Sequence, residues 1–469
     1  MFIKQFYTGC LSEAAYFIED GGEVAIIDPL RDIDAYLQLA KEKNATIKYI
    51  FETHFHADFI SGHIDLAKAT GAPIIYGPGT EAGFDITIAK DGQVFTLGKL
   101  AIEVLHTPGH TLESSCYLLK SENGKPHAVF TGDTLFVGDV GRPDLAQKNM
   151  KNTMEEMAAM LYDSLQKKII PLPGDVIVYP AHGPGSACGK NLGPETSSTI
   201  VVEKETNYAL KAQGKEEFVT AVTAGLALPP KYFPINAQIN KQGYETMNAI
   251  LEQSLKPLSA KEFKELMNDD AVILDTRPAA EFSSGFVPGS VFIGLEGRFA
   301  EWAGSLLSFT QPILLVTSPG MEQETIIRLA RVGIDKVKGY LDGGIEAWKN
   351  DENEIDLVID VEPDELLMDM KFDENLVILD VRREAEFADG HLKNAINIPL
   401  NELTDPAKMA LMEETQNIYI HCAGGYRSMI ATSLIKRQGI HNLRNVTGGW
   451  SQIKELEKVE IIKEKSILN

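Results

Sequence analysis

Five short apolar runs punctuate the first 180 residues: VAIID at 24–28, IKYIF at 47–51, IEVL at 102–105, HAVF at 127–130 and VIVY at 176–179. Each is rich in β-branched residues, as a buried strand requires, and helical stretches alternate with them. This alternation predicts an α/β domain. Four of the five runs are followed within a few residues by His or Asp, and loops held by a rigid sheet are where sites are usually built. Between about 195 and 257 the pattern changes to two helical stretches broken by LPPKYFP at 228–234. This region reads as the end of the first domain running into a linker.

Beyond the linker the pattern repeats. ILDTRPAAEFSSGFVPGS carries Asp275 where ILDVRREAEFADGHLKNA carries Asp380, an offset of 380 − 275 = 105. The offset holds for Arg277 and Arg382, Glu281 and Glu386, Phe282 and Phe387, and for Gly343-Gly344 against Gly448-Gly449. Two copies of one α/β domain follow, with a period too long for a solenoid. The predicted organisation is residues 1–245, a linker over 246–257, a first copy over 258–352 and a second over 353–469. The offset carries Cys422 onto Thr317, so the first copy lacks the thiol.

Length and charge narrow the picture. A chain of 469 residues exceeds one ordinary core and implies roughly three domains. A formal net charge of −23 argues against nucleic-acid or anionic-membrane partners. For the same reason an anionic substrate needs local basic residues at its site. The N-terminal MFIKQFYTGCLSEAAYF has no basic stretch ahead of an apolar core, so no secretory signal is read there. Only four cysteines occur, at scattered positions, which fits a reducing compartment, and the cytoplasm is the expectation.

The chemistry gathers in two places. Residues 53–58 read Thr-His-Phe-His-Ala-Asp, and side-chain alternation at a strand end would aim His54 and His56 the same way. His110 in HTPGH, Asp133 in FTGD and His182 in YPAH follow, each just after a predicted strand, a distribution that points to a metal rather than to isolated structural histidines. Residues 1 to about 245 resemble the metallo-β-lactamase superfamily, an αββα sandwich with metals at the sheet edges. Its usual hydrolytic motif is His-x-His-x-Asp-His, but Phe59 stands where the last histidine belongs. That departure counts against a two-metal hydrolase.

The branch most similar is persulfide dioxygenase, and the resemblance implies a single Fe(II) held by His54, His110 and Asp133. Two imidazoles and a carboxylate leave open positions for oxygen and substrate. On this reading His56, Asp58 and His182 orient ligands or water from behind. FTGDTLFVGDVGRPDL also matches this branch, and the resemblance places Arg142 and Asp144 on the substrate side; the alternative is that they simply pair with each other. Cys188, in GPGSACGKNLG, could come near the metal, with Lys190 favouring its thiolate, or could fill a tight turn. Cys116 reads as a strand core residue.

At the other end, NIYIHCAGGYRS precedes the helical MIATSLIKRQG, so Cys422 ends a strand and opens a loop. Backbone N–H groups of Ala423, Gly424, Gly425 and Tyr426 can cradle its sulfur and Arg427 adds charge to the rim, a setting for nucleophilic catalysis at Cys422. The Cys-x-x-Gly-x-Arg pattern, with DVRREAEFADGHLKNAINIP and NVTGGW, resembles a single-domain rhodanese. A tyrosine-phosphatase loop spaces its arginine one residue further away. In the first copy the loop reads VTSPGMEQE, where Thr317 and Ser318 cannot form a persulfide.

The resemblances together imply iron-dependent oxidation of a low-molecular-weight thiol persulfide, such as that of glutathione or coenzyme A, by O2 to sulfite and thiol. A Cys422 persulfide would link this to sulfite and thiosulfate. One rival is a zinc thioester hydrolase of the glyoxalase II type fused to a sulfurtransferase; another is a non-catalytic N-terminal sensing module. The silent repeat and the linker are compatible with a homo-oligomer.

Overall fold

The structure, a computed structural model, describes residues 1–145, 152–268, 270–457 and 459–464. The chain divides into two compact units, Met1–Ala249 with Ala330–Gly333, and Ile250–Leu329 with Ile334–Asn469.

The first unit is built on two six-stranded sheets. One runs in chain order through β1 (Phe2–Thr8), β2 (Glu13–Asp20), β3 (Glu23–Ile27), β4 (Thr46–Phe51), β5 (Ile74–Tyr76) and β6 (Thr87–Ile88). The other contains β7 (Val94–Leu97), β8 (Leu100–His106), β9 (Ser115–Lys120), β10 (Pro126–Gly132), β11 (Ile177–Pro180) and β12 (Ser198–Thr199), also in chain order. Both are mixed: β1 to β3 and β7 to β10 pair antiparallel, whereas β3–β4–β5 and β10–β11 pair parallel.

Alternation along β2 shows why the sheets stack. Ala14, Tyr16 and Ile18 enter the core between the sheets with Phe51, Ile102, Tyr117 and Phe130. Ala15 and Phe17 face the opposite way, onto a layer with Tyr36, Ala40, Ile64 and Leu66 from the helices Asp34–Glu42 and His63–Thr70. On the far side of the second sheet, Ala158, Leu161, Ile200, Phe218 and Val222 come from helices Met154–Ser164, Ile200–Thr206 and Lys215–Thr223. Both sheets are thereby covered by helices on their outer faces, giving the αββα sandwich. The helix at Met154 starts where the Thr153 side chain and Glu156 satisfy each other's backbone N–H groups.

The region between 195 and 257 corrects the expectation of two helices: four form, at Ile200–Thr206, Lys215–Thr223, Phe233–Gln242 and Met247–Ser254. Gly214, at φ 137°, and the Pro229-Pro230 pair break the periodic pattern into pieces too short to be separated by eye.

The second unit holds two parallel five-stranded sheets. The first contains β13 (Pro257–Leu258), β14 (Val272–Asp275), β15 (Val291–Phe292), β16 (Ile313–Val316) and β17 (Val337–Leu341), in the spatial order β13-β17-β16-β14-β15. The strands that follow are β18 (Ile359–Val361), β19 (Leu376–Asp380), β20 (His391–Leu392), β21 (Ile396–Asn397), β22 (Asn417–His421), β23 (Leu443–Val446) and β24 (Ile461–Ile462). Of these, β18-β23-β22-β19-β21 repeat the same order, and β20 pairs with β24.

The repeat is also visible atom by atom. Arg277 forks onto Asp275 and donates to the Gly285 carbonyl; Arg382 forks onto Asp380 and donates to the Gly390 carbonyl. Gly343-Gly344 and Gly448-Gly449 all take left-handed backbone ahead of a helix. Thr317 follows β16 as Cys422 follows β22.

Candidate active sites

Four strand ends assemble the first site. His54 lies just beyond β4, His110 beyond β8, Asp133 beyond β10 and His182 beyond β11. Because β10 and β11 are parallel neighbours, Asp133 and His182 leave the sheet side by side, His182 Nε2 being 3.5 Å from Asp133 Oδ1. His54 Nε2 and His110 Nε2 approach the other oxygen, Oδ2, at 3.7 and 3.4 Å. All four side chains are buried.

Hydrogen bonds on the outer ring nitrogens set the tautomers. Thr53 donates its hydroxyl to Asp28 and therefore accepts from His54 Nδ1 at 2.9 Å. His110 Nδ1 donates to the Arg142 carbonyl at 2.9 Å, and His182 Nδ1 to the Ser12 carbonyl at 3.2 Å. Each leaves an Nε2 lone pair facing Asp133. Burial, reinforced by His56, His110 and His182, holds the His54 pKa well below the usual imidazole value and keeps the ring neutral, the form able to bind a metal.

Both carboxylate oxygens of Asp133 and Nε2 of His182 are buried with no hydrogen-bond partner among the described residues. Such groups are costly unless something binds them. His54, His110 and Asp133 offer ligand atoms within 4.8 Å of one another, and so do His56, Asp58 and His182. The residues present therefore fit a metal ion.

Side-chain alternation does not explain this placement, because β4 ends at Phe51 and residues 53–58 run as a loop. The His54 and His56 rings lie 4.2 Å apart, yet His56 Nε2 sits 3.3 Å from Asp28 and 3.7 Å from Glu52. Burial works against charge on His56, but Asp28, Asp58 and Asp133 together raise its pKa. Asp58 lies 3.4 Å from His182. Phe59 is fully buried with its ring tilted against His56 at 4.3 Å, an apolar wall beside it.

Arg142 forks onto Asp144 at 2.7 Å for each bond and donates to the Ala187 and Ala227 carbonyls. The guanidinium is thus spent on protein groups: it ties loops together, and the Arg142 main chain orients His110. Cys188 comes within 4.8 Å of ligand atoms of Asp133 and His182. The expectation that Lys190 favours a Cys188 thiolate is corrected: Lys190 Nζ lies over the Tyr208 ring, and burial with Asp58 and Asp133 pushes the thiol pKa well up. Cys116 sits in the core of β9, its pKa pushed up to about 11 by burial.

The residues packed behind this cluster carry no motif in the sequence. Asp28 accepts from the Thr53 backbone and hydroxyl, and Glu52 accepts from Ser61 and contacts His63. One signal was present: Asp28 ends the apolar run VAIID.

In the second unit, Cys422 follows β22 and precedes the helix Tyr426–Arg437. The Gly425 N–H donates to Cys422 Sγ at 3.1 Å, and Gly425 takes φ 105°, which only glycine adopts readily. Trp450 N donates to the Cys422 carbonyl at 2.7 Å and Ser451 N to that of Ala423 at 2.9 Å, pinning the loop. Arg427 forks onto Glu386 at 2.7 and 2.8 Å. A cavity of about 440 Å³ opens on Cys422, Gly424, Tyr426 and Arg427.

These are the fold and residues of a metal-binding αββα domain joined to a duplicated sulfurtransferase-like fold. Residues 8–182 match the metallo-beta-lactamase superfamily, and residues 259–351 and 362–456 each match the rhodanese-like domain. A metallo-beta-lactamase from Staphylococcus aureus is 32% identical, with a TM-score of 0.66 over 72% of this chain and 98% of that one. A hydroxyacylglutathione hydrolase from Brucella ovis is 32% identical over 46% of this chain and 75% of its own. A probable hydroxyacylglutathione hydrolase from Schizosaccharomyces pombe is 32% identical over 38% of this chain, and the match spans 66% of that protein's length. The chain belongs to the metallo-beta-lactamase superfamily and carries two rhodanese-like domains after that fold. No helix among the described residues is long and apolar enough to cross a membrane.

Proposed function

We propose that the first unit is a persulfide dioxygenase using one Fe(II) per chain, and that the second transfers sulfane sulfur through Cys422. The carrying observation is the buried set of two imidazoles and one carboxylate, His54, His110 and Asp133, with Phe59 packed on His56 beside it. Such a set suits non-heme Fe(II) and leaves positions open. Iron bound there supplies the redox chemistry by which O2 reacts with a persulfide sulfur. The balanced reaction is RSSH + O2 + H2O giving RSH and sulfurous acid, which ionises to sulfite.

The residues contribute position and proton control. Thr53, the Arg142 carbonyl and the Ser12 carbonyl fix three ring orientations. Asp58 and His182, 3.4 Å apart, form a pair able to hold or move a proton beside Asp133. Phe59 and the buried sandwich exclude bulk water. Cys188, held as a thiol, lines the same space as a contact for the substrate.

At Cys422 the thiolate attacks the sulfane sulfur of thiosulfate, the S–S bond breaks, and sulfite leaves with the bonding pair. A thiolate acceptor then takes the outer sulfur and returns Cys422 to its starting state. Run in reverse, sulfite accepts sulfur and thiosulfate forms.

A second reading, a two-zinc thioester hydrolase, is favoured by the second ligand group, His56, Asp58 and His182, and by the names of the hydrolase relatives. The test is Asp133→Ala in the full chain. Loss of bound iron and of oxygen uptake with glutathione persulfide supports the dioxygenase; absence of oxygen uptake by the iron-loaded unaltered protein rejects it.

A further inference from the structure

The first rhodanese-like copy has no thiol, yet it does not stand apart from the second. Tyr426, at the mouth of the Cys422 loop, donates its hydroxyl to the Gly294 carbonyl of the first copy at 2.7 Å. Its ring lies beside Gly297, which takes φ 82°, and meets Phe292 edge-on at 6.4 Å. Ser433, on the helix behind Cys422, accepts from the Phe292 backbone at 2.9 Å. The segment 292–302 of the silent copy is thereby fastened to the live site at several points.

The consequence lies in the cavity. Gly297, Arg298 and Trp302 of the first copy line it together with Arg383, Glu386 and Arg427 of the second. A volume of about 440 Å³ falls within the roughly 300–1,000 Å³ of organic-ligand sites. One water occupies about 30 Å³ of liquid, so an inorganic oxyanion of five heavy atoms fills only part of it. Three arginines converge there, in a chain whose formal charge is −23. Arg427 is forked onto Glu386 and Arg298 is paired with Glu301, while Arg383 is exposed at the rim. The half-buried indole of Trp302 adds a flat apolar surface. Positive charge beside an aromatic face suits a carboxylate- or phosphate-bearing organic molecule.

We infer that Arg298 and Trp302 of the thiol-less copy form the recognition wall for an anionic organic thiol that exchanges sulfur with Cys422. This rests on the reading of Cys422 as the sulfur carrier. The copy that lost its nucleophile is then a specificity element. The transfer step is unchanged: the acceptor thiolate attacks the outer sulfur of the Cys422 persulfide, the S–S bond breaks, and the Cys422 thiolate is the leaving group. What the wall adds is residence for the acceptor's anionic end and stem.

The test compares acceptors in the full chain with thiosulfate as donor: cyanide, neutral 2-mercaptoethanol and anionic glutathione. Arg298→Ala should raise KM for glutathione about tenfold, as loss of one charge-assisted contact implies, and Trp302→Ala, which removes the flat face, should raise it in the same direction. The kcat for glutathione, and the kinetics with cyanide and 2-mercaptoethanol, should stay within about twofold. Equal effects on all three acceptors, or none on any, overturn the inference. Cyanide turnover by the unaltered protein reports separately on Cys422 as carrier. A readout free of turnover and of sulfur chemistry is glutathione binding to Cys422→Ser followed by tryptophan fluorescence. Binding weakened by adding Arg298→Ala supports the wall, and binding unaffected by it overturns the wall.

Discussion

Thr53 contributes no ligand atom, yet its hydroxyl joins His54 Nδ1 to Asp28 through two bonds of 2.9 Å. Substituting valine keeps the shape and removes both bonds. Thr53→Val is expected to weaken metal affinity about 10–100-fold, the usual cost of losing a partner behind a ligating histidine. Metal titration against a competing chelator measures it, and affinity equal to that of the unaltered protein refutes it. Glu386 acts by charge in the other site. Burial alone would raise its pKa, but the Arg427 fork outweighs that and lowers it. A depressed folded value means that the pair's contribution is present above the ordinary glutamate pKa, about 4.3, and is lost as pH falls through the folded value. Glu386→Gln should therefore lower the melting temperature at pH 7, with the difference closing as the pH is lowered; a difference that does not shrink at all below the ordinary glutamate range rules this out. His54, His110 and Asp133, which the fold brings together, were legible in the sequence because each follows an apolar run. Thr53, Asp28 and Glu52 were not, since a polar residue at a strand end looks the same whether it supports a ligand or caps a turn.

At the scale of elements, the metal site depends on how closely the chain packs behind its strands. A Cβ placed on Gly141 would lie 2.0 Å from the Asp133 carbonyl and 2.9 Å from His110 Nδ1. Gly141→Ala is thus expected to displace both ligands and cut metal occupancy severalfold, read by elemental analysis of purified protein; full occupancy contradicts it. Gly132, at φ 52°, meets Thr53 in the same way. The five strands read from the sequence, 24–28, 47–51, 102–105, 127–130 and 176–179, all formed, as β3, β4, β8, β10 and β11. They are apolar enough to declare themselves. The strand β1 mixes half-buried with exposed positions, and β5 and β6 have only three and two residues, so no run was long enough to register. The duplicated fold was legible from a fixed offset alone. The involvement of the silent copy in the Cys422 cavity was not, because Arg298 and Trp302 belong to no motif and only packing brings them there.

Across the whole molecule, two candidate sites are carried by separately built units. One is a buried nest of imidazoles and carboxylates; the other is a thiol on a loop flanked by arginines. Three arginines gather at the second, in an acidic chain, as the proposed anionic substrate would require. Because the two sites share no ligand residue, Cys422→Ser should abolish transfer from thiosulfate to cyanide while oxygen uptake stays within about twofold. Surviving transfer would move the carrier role to another thiol, with Cys188 nearest a reactive centre. We propose that His54, His110 and Asp133 form a one-iron oxygenase site despite the hydrolase names among the relatives. Metal content and oxygen uptake measured on the same iron-supplied preparation, with glutathione persulfide as substrate, test it most directly. One iron per chain and one O2 consumed per sulfite formed are expected. Two zinc ions per chain, no oxygen uptake and hydrolysis of an acyl-glutathione would contradict it.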